Sequence, residues 1–213
     1  MRLRRVAGAL DELLEDKKYF ISSPKDNKGK WNKVFGNNNP IHIEIGCGKG
    51  DFSIGMAKEF PNINFIAIEK FESVLIRALE KAQKDDIKNL RLVHYDAIML
   101  NDLFDNQEID NIYLNFSDPW PKSRHAKRRL TSKLFLDVYN NILKNDGSIM
   151  QKTDNVILYQ YSIESFSQNG WYLSDISVDL HKEERFNIMT EYERKKCKLG
   201  PIYRLVARKV KND

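Results

Sequence analysis

A predicted strand that runs directly into a glycine-rich turn and then into a helix is the feature that most restricts this fold. The strand is Ile41–Ile45, the turn carries Gly46, Gly48 and Gly50, and a helical pattern extends from there to about Phe60. Glycine adopts left-handed backbone conformations and lets a ligand approach the main chain closely. The first strand-to-helix turn of an alternating domain is where such folds bind nucleotides. The turn therefore predicts an α/β protein with a nucleotide-like cofactor.

The rest of the chain continues the alternation of strands and helices. Further strands are predicted at 63–68, 90–94, 109–116, a short stretch around Ile149 opened by Asp146-Gly147, 171–178 and 202–208. Further helices are predicted at 8–18, 71–84, 131–143 and 155–168, with 22–40 as a connecting loop. Such alternation implies βαβ units and a mostly parallel sheet. We expect one globular domain overall, with an N-terminal basic arm and helix at 1–40 and the sheet within 41–213.

Composition and length limit the environment in which the chain works. The 213 residues, 41% of them hydrophobic, suit one domain with a sizeable core. Cys47 and Cys197 provide neither a disulfide framework nor a metal-binding spacing, so we expect no metal and a reducing, cytoplasmic location. The apolar stretch within Met1–Leu10 is too short for a signal peptide, and no run predicts a membrane helix. The oligomeric state stays open between monomer and homodimer.

Acidic residues stand at the ends of three successive predicted strands. Glu44 precedes the glycine turn, Glu69 closes the second strand and Asp96 follows the third. An acid in the position of Glu69 can bind both ribose hydroxyls of a nucleoside. S-adenosylmethionine combines an adenosine with a sulfonium and an ammonium and carries no phosphate, so it suits such a set of acids. The predicted cofactor site comprises Glu44, Gly46, Gly48, Gly50, Glu69 and Asp96.

A loop stiffened by two prolines follows the fourth predicted strand. It contains Asp118 and Trp120, at the strand end where open α/β sheets place their chemistry. Behind it, six Lys or Arg lie between Lys122 and Lys133 with no acidic residue among them, although the net charge of the whole chain is only +5. Such a one-sided cluster predicts contact with the phosphates of a nucleic acid. Trp120 suits both stacking on a base and a place in the core.

The segment 117–130, Ser-Asp-Pro-Trp-Pro-Lys-Ser-Arg-His-Ala-Lys-Arg-Arg-Leu, resembles the signature of the bacterial tRNA (guanine-N7)-methyltransferases. The resemblance covers nearly the whole chain and includes Gly29–Trp31, Lys152–Asn155 and Ile188–Glu193. It implies a Rossmann-like, seven-stranded, S-adenosylmethionine-dependent methyltransferase fold. That sheet is mostly parallel with one antiparallel edge strand, and helices cover both faces. The implied activity is methyl transfer to N7 of guanine at position 46, in the variable loop of tRNA.

The resemblance also implies roles for individual residues. Asp118 would be the catalytic residue and would join the acids of the methyl-donor site. The substrate would be contacted by Lys122, Asp154, Thr190, Glu191, Tyr192 and Glu193. The RNA would be bound by Arg124, His125, Ala126, Lys127, Arg128 and Arg129. The chain departs from the family pattern at Arg5–Gly8 and at Arg194–Cys197, which leaves RNA docking by both termini open.

The chemistry of guanine N7 agrees with these residues. N7 carries a free lone pair, so no strong general base is required, and catalysis rests on alignment and electrostatics. A carboxylate can accept N1–H and N2–H of guanine, and either Asp118 or Asp154, or both, can do so.

Three alternatives remain open at this point. One is an amino-methyltransferase acting on an exocyclic amine of a base, because such enzymes carry an Asp/Asn-Pro-Pro-aromatic loop similar to 118–121. Another is a non-catalytic RNA-binding protein that retains the sheet. The third is an NAD-dependent oxidoreductase, which the glycine spacing disfavours because Asp51 stands where that pattern requires Gly or Ala.

Overall fold

The computed structural model describes residues 6–210, so Arg2, Arg4 and Arg5 of the predicted basic arm lie outside the described residues. The strands are β1 Ile41–Ile45, β2 Asn64–Glu69, β3 Leu90–His94, β4 Ile109–Asn115, β5 Leu143–Thr153, β6 Trp171–Ser177 and β7 Tyr203–Lys209. The α-helices are α1 Ala9–Glu15, α2 Trp31–Phe35, α3 Asp51–Glu59, α4 Glu72–Asp85, α5 Lys133–Ile142, α6 Val156–Gln168 and α7 Glu191–Lys196. Shorter 3-10 helices lie at Pro24–Asn27, Ala97–Asp102, Ser123–Arg128 and Leu180–Lys182.

The seven strands form one sheet in the order β3-β2-β1-β4-β5-β7-β6. The chain order reverses between β1 and β4, which pair in parallel at the centre of the sheet. Open α/β sheets bind ligands at such a switch point, beyond the carboxyl ends of the strands. The predicted mostly parallel sheet with an antiparallel edge is confirmed. The strand that runs against the others is β7, which lies between β5 and the edge strand β6.

The centre of the sheet is buried on both faces, since every residue of β1 and β2 is buried. Side chains alternate between the two faces of a strand. Ile43 and its neighbours pack with α5 and α6 in one core layer, whereas Phe65 and Leu92 pack with α1, α3 and α4 in the other. The apolar run Phe65–Ile68 of β2 reflects burial of both faces, whereas β1 alternates isoleucine with the buried polar residues His42 and Glu44. Within residues 6–210, no helix is long and apolar enough to cross a membrane.

Two local predictions were wrong. The expected loop at 22–40 contains a 3-10 helix and α2, because Trp31 is fully buried and donates its indole N–H to the Leu103 carbonyl at 2.9 Å. The fifth strand is not short: β5 begins at Leu143 and includes the expected Asp146-Gly147 turn. A side chain at Gly147 would approach the Asp110 carbonyl oxygen to 2.6 Å. The close approach of β4 therefore requires the glycine, at the place where the pairing of β5 with β4 is irregular.

Candidate active site

The glycine turn after β1 forms an open cradle at the switch point. Gly46, Gly48 and Gly50 all have left-handed backbones, with φ of 74°, 58° and 77°. A Cβ at Gly46 or Gly48 would meet no protein atom within 4 Å, so space is open in front of the main chain. At Gly50 a Cβ would lie 2.8 Å from the Cβ of Ala78, so this glycine allows α4 to pack closely. Two of the glycines therefore face free space and the third serves packing.

Glu69, at the end of β2, ties the turn to the neighbouring strand. Its carboxylate accepts hydrogen bonds from the backbone N–H of Gly48 at 3.0 Å, Lys70 at 2.8 Å and Phe71 at 3.1 Å. A carboxylate offers about four acceptor sites, so at least one remains for a ligand hydroxyl. Glu69 thus combines a structural role in the turn with a free acceptor at the mouth of the cradle.

Asp96 follows β3 and caps the 3-10 helix Ala97–Asp102. Its Oδ1 accepts the N–H of Ile98 at 3.2 Å, and its other oxygen pairs with Lys70. Partial burial alone would raise the pKa of Asp96, but the Lys70 ammonium and the Ile98 N–H outweigh it, and the pKa lies below its usual value. Asp96 is therefore a charged acceptor on the same edge as Glu69.

Glu44 lies beneath the turn instead of on its surface. The residue is only 2% exposed, and its two oxygens accept hydrogen bonds from the Ser53 hydroxyl and from Asn115 Nδ2 at 2.9 Å. Burial raises the pKa of Glu44 to about 7, although these bonds and the Lys152 charge oppose the rise. The carboxyl therefore links α3 to β4 and changes its charge near neutral pH.

The loop after β4 holds Asp118 exposed between two strained residues. Phe116 and Trp120 have φ of 53° and 43°, a left-handed conformation that costs a non-glycine residue on the order of 1–3 kcal/mol. The N–H of Phe116 is held by the Lys152 carbonyl at 2.8 Å. Such strain persists only where the surroundings enforce it, and it is common at functional sites. The loop thus presents the Asp118 carboxylate in one enforced backbone conformation.

The basic segment behind this loop divides into exposed and buried members. Lys122, Arg124, Lys127 and Arg128 are exposed. Arg129, by contrast, is 6% exposed. It was predicted to bind RNA, but its Nε and Nη2 donate to the carbonyls of Pro119 at 3.0 Å and Trp120 at 3.1 Å.

The same segment also packs against Trp120. The Arg128 guanidinium lies 4.9 Å from the centre of the Trp120 ring, and the His125 ring contacts it edge-on. Trp120 is partly exposed and contacts two side chains of the basic segment.

A buried ion pair anchors the segment before α7 to the end of β5. Lys152 is 1% exposed, and its Nζ donates to Glu193 at 2.6 Å, Asn187 at 2.9 Å and the Ile188 carbonyl at 2.9 Å. Glu193 is 0% exposed, and its other oxygen bonds Asn187 and His181. The substrate contact by Glu193 stays a prediction, and in this structure its carboxylate is fully buried among these internal donors. Burial lowers the pKa of Lys152, although Glu193 opposes the shift.

The other residues predicted to contact the substrate surround α7. Thr190 caps the helix by accepting the N–H of Glu193 at 2.9 Å. Tyr192 donates its hydroxyl to Asp154 at 3.1 Å, so these two predicted residues lie together. Glu191 pairs with Lys49 of the glycine turn at 2.9 Å, and Lys195 and Lys49 lower its pKa to about 2. The segment therefore connects the turn after β1 to the end of β5.

Most of the predicted residues lie at or beyond the carboxyl ends of the parallel strands. Their functional roles stay predictions. The sequence analysis assigned no role to Lys152, although Lys152–Asn155 was part of the resemblance. The available signal was a lysine within an otherwise buried strand. Because an unpaired buried charge is costly, such a lysine predicts a buried acidic partner. No sequence pattern indicated that Arg129 would turn inward.

Comparison with known proteins agrees with this geometry. The profile of a family described as "Putative methyltransferase" matches residues 38–205. The chain is 50% identical over 210 residues to a tRNA (guanine-N(7)-)-methyltransferase of Lachnoclostridium phytofermentans, covering 97% of this chain and 98% of that protein. It is 52% identical over 206 residues to the protein of the same name from Bacillus subtilis, covering 96% of this chain and 97% of the relative.

More distant solved structures share the fold alone. An antibiotic-related methyltransferase aligns with a TM-score of 0.68 at 18% identity, covering 89% of this chain and 96% of that one. A SAM-dependent methyltransferase from Aquifex aeolicus aligns with a TM-score of 0.59 at 15% identity, covering 97% and 100%. The identity of about half the residues over nearly the full length of each relative is decisive. This chain belongs to the tRNA (guanine-N(7)-)-methyltransferase family.

Proposed function

We propose that this protein transfers a methyl group from S-adenosylmethionine to N7 of the guanine at position 46 in the variable loop of tRNA. The observation that carries the proposal is the position of the Asp118 loop. The loop follows β4, which pairs in parallel with the strand that leads into the glycine cradle, and it continues directly into the basic segment 122–128. The names of the relatives support guanine N7 in tRNA as the acceptor. The position within the tRNA rests on the resemblance. Two free cysteines agree with a cytoplasmic site of action.

The residues of the cradle fit S-adenosylmethionine. The open space in front of Gly46 and Gly48 admits a ligand against the main chain. Glu69 keeps an acceptor for the ribose hydroxyls, and Asp96 is a charged acceptor that suits the adenine amino group. The acidic character of the site suits a cofactor that carries positive charge and no phosphate. When bound, it supplies an electrophilic methyl group whose bonding pair remains on sulfur as the new bond to N7 forms.

The protein contributes placement and electrostatics to this transfer. No proton leaves N7, so Asp118 is not required to act as a base. Its carboxylate can accept the guanine N1–H and N2–H and stabilise the positive charge that develops on the base. Asp154, hydrogen-bonded to Tyr192, is the second acceptor on this edge. A site built on such hydrogen bonds rejects adenine, which offers an acceptor at N1, by a factor on the order of 10⁴.

Titration of Glu44 makes cofactor affinity pH-dependent. With a pKa of about 7, its carboxyl is mostly neutral at lower pH and negative above it. In the proposed site Glu44 lies near the cationic methionine end of the cofactor. Its negative carboxylate attracts that end, so we expect S-adenosylmethionine to bind more tightly as pH rises through about 7. Calorimetry of wild type and Glu44→Gln across this range checks the expectation. An equal pH dependence in the two proteins would contradict it.

Titration of Glu44 also affects stability, which should fall over the pH range in which cofactor affinity rises. Its folded-state pKa exceeds the ordinary value of 4.5, so the folded protein binds more protons than the unfolded chain between those values. The free energy of unfolding of the cofactor-free protein should therefore fall as pH rises from about 4.5 to about 7, by up to about 3 kcal/mol from this group. Denaturant titrations of the same two proteins measure this contribution by difference.

The most direct test of the proposal is to map the methylated nucleotide. Unmodified tRNA is treated with the pure protein and isotopically labelled S-adenosylmethionine, and the product is digested and sequenced chemically. We expect N7-methylguanosine at position 46 and none in a tRNA whose guanine 46 is replaced by adenine. Methyl transfer to an exocyclic amine would favour the amino-methyltransferase alternative. Binding of tRNA without turnover would favour a non-catalytic RNA-binding protein.

A further inference from the structure

We propose that Arg129 is a positioning residue for the Asp118 loop and not an RNA contact. The inference rests on the proposed function, since it concerns how the same site is held. Arg129 ends a run of basic residues, and sequence alone gives it the same role as its neighbours. The structure separates it from them, because its side chain is directed inward while the others remain at the surface.

The side chain of Arg129 contacts the Asp118 loop and α6. Nε donates to the Pro119 carbonyl at 3.0 Å and Nη2 to the Trp120 carbonyl at 3.1 Å. The planar guanidinium thus binds two consecutive peptide carbonyls at once, a geometry that its fork of donors allows and a lysine cannot reproduce. On its other side it lies 4.2 Å from the centre of the Tyr161 ring on α6. Arg129 therefore connects the loop to a helix of the core.

The carbonyls of Pro119 and Trp120 belong to the part of the loop that has a strained backbone. Trp120 has a left-handed backbone, and without a partner for its carbonyl the segment 118–120 can relax to an ordinary conformation. The start of the loop is already held by the bond from Phe116 to β5. With Arg129 at the other end, both sides of Asp118 are restrained. A small displacement of a catalytic group has a large effect on rate, because alignment supplies much of the catalysis.

Substitution of Arg129 should therefore lower turnover, whereas substitution of Lys127 should lower the affinity for tRNA. In Arg129→Ala we expect turnover at saturating tRNA to fall by about ten- to a hundredfold. The dissociation constant for tRNA and its dependence on salt should stay close to the wild-type values. In Lys127→Ala, whose side chain is exposed, the loss should appear in affinity, and the salt slope should decrease by about one. Arg77→Ala, which removes a positive charge paired with Glu80 on α4, controls for net charge.

Chemical rescue separates a specific hydrogen-bonding role from general loss of structure. Millimolar guanidinium should restore part of the turnover of Arg129→Ala, and ammonium at the same concentration should not. If Arg129→Ala does not fold, Arg129→Lys serves in its place, with reduced turnover at unchanged tRNA affinity as the expected result. Wild-type turnover at saturating tRNA together with a reduced salt slope would overturn the proposal. Failure of the proposed function would instead appear as an inactive wild-type protein.

Discussion

Replacing Asp118 with alanine should lower turnover by at least about a hundredfold, because the proposed role of its carboxylate is to stabilise the positive charge that develops on the base. The folded state should be little affected, since Asp118 is exposed, and exposed substitutions usually change stability by less than about 0.5 kcal/mol. Affinity for tRNA should stay within a factor of about two, because phosphate contacts dominate it. Single-turnover rates with labelled methyl donor, together with filter binding of tRNA, measure the two quantities separately.

Asp118→Asn provides the sharper variant, because it preserves shape and removes only the charge. We expect its turnover to be close to that of the alanine variant. Asp154→Asn is the matched comparison at the end of β5, where the side chain meets Tyr192 and Lys196. If Asp154 recognises guanine and Asp118 stabilises charge, Asp154→Asn should raise KM more than it lowers kcat. Wild-type turnover in both Asp118 variants would remove this residue from the mechanism.

Replacing Lys152 with methionine should lower the free energy of unfolding by about 3–5 kcal/mol. The substitution leaves the Glu193 carboxylate fully buried without its cationic partner, and breaking a buried pair in this way is strongly destabilising. For a chain of this size, the midpoint of thermal unfolding should fall on the order of 10 °C. The bonds from Lys152 to Asn187 and Ile188 are lost as well, so the segment leading to α7 loses its anchor on β5.

The double variant Lys152→Met with Glu193→Met tests whether the loss comes from the unpaired charge. Replacing both members of a buried pair with apolar groups is often neutral or stabilising, so most of the stability should return. Activity should not return with it if the pair also places Tyr192 beside Asp154. An unfolding midpoint of Lys152→Met equal to that of the wild type would show that the ion pair contributes little. Recovery of activity in the double variant would show that it does not position the segment.

The sequence was informative wherever local pattern and local chemistry coincide. The stretch Phe65–Ile68 of β2 is apolar because both faces of the strand are buried, and β1 has isoleucine at every second position, so both strands are evident without a structure. The glycines of the turn are recognisable for a similar reason, since a left-handed backbone favours glycine over other residues. The predictions that were wrong, at 22–40 and at Gly147, concern residues whose conformation depends on distant partners such as Leu103 and Asp110.

The α/β class, the glycine turn with its neighbouring acids and the basic character of the segment after Asp118 are all recognisable in the sequence alone. Periodicity and residue chemistry are properties of residues close together in the chain, so they can be recognised without a structure. Only the tertiary structure decided which charges are free to meet a ligand. Arg129 and Glu193 belong to motifs of typically exposed residues, yet both are buried. Arg129 bonds Trp120, 9 residues away, and Glu193 bonds Lys152, 41 residues away. Burial of a charge depends on which donors and acceptors the fold brings to it, and that information is not local.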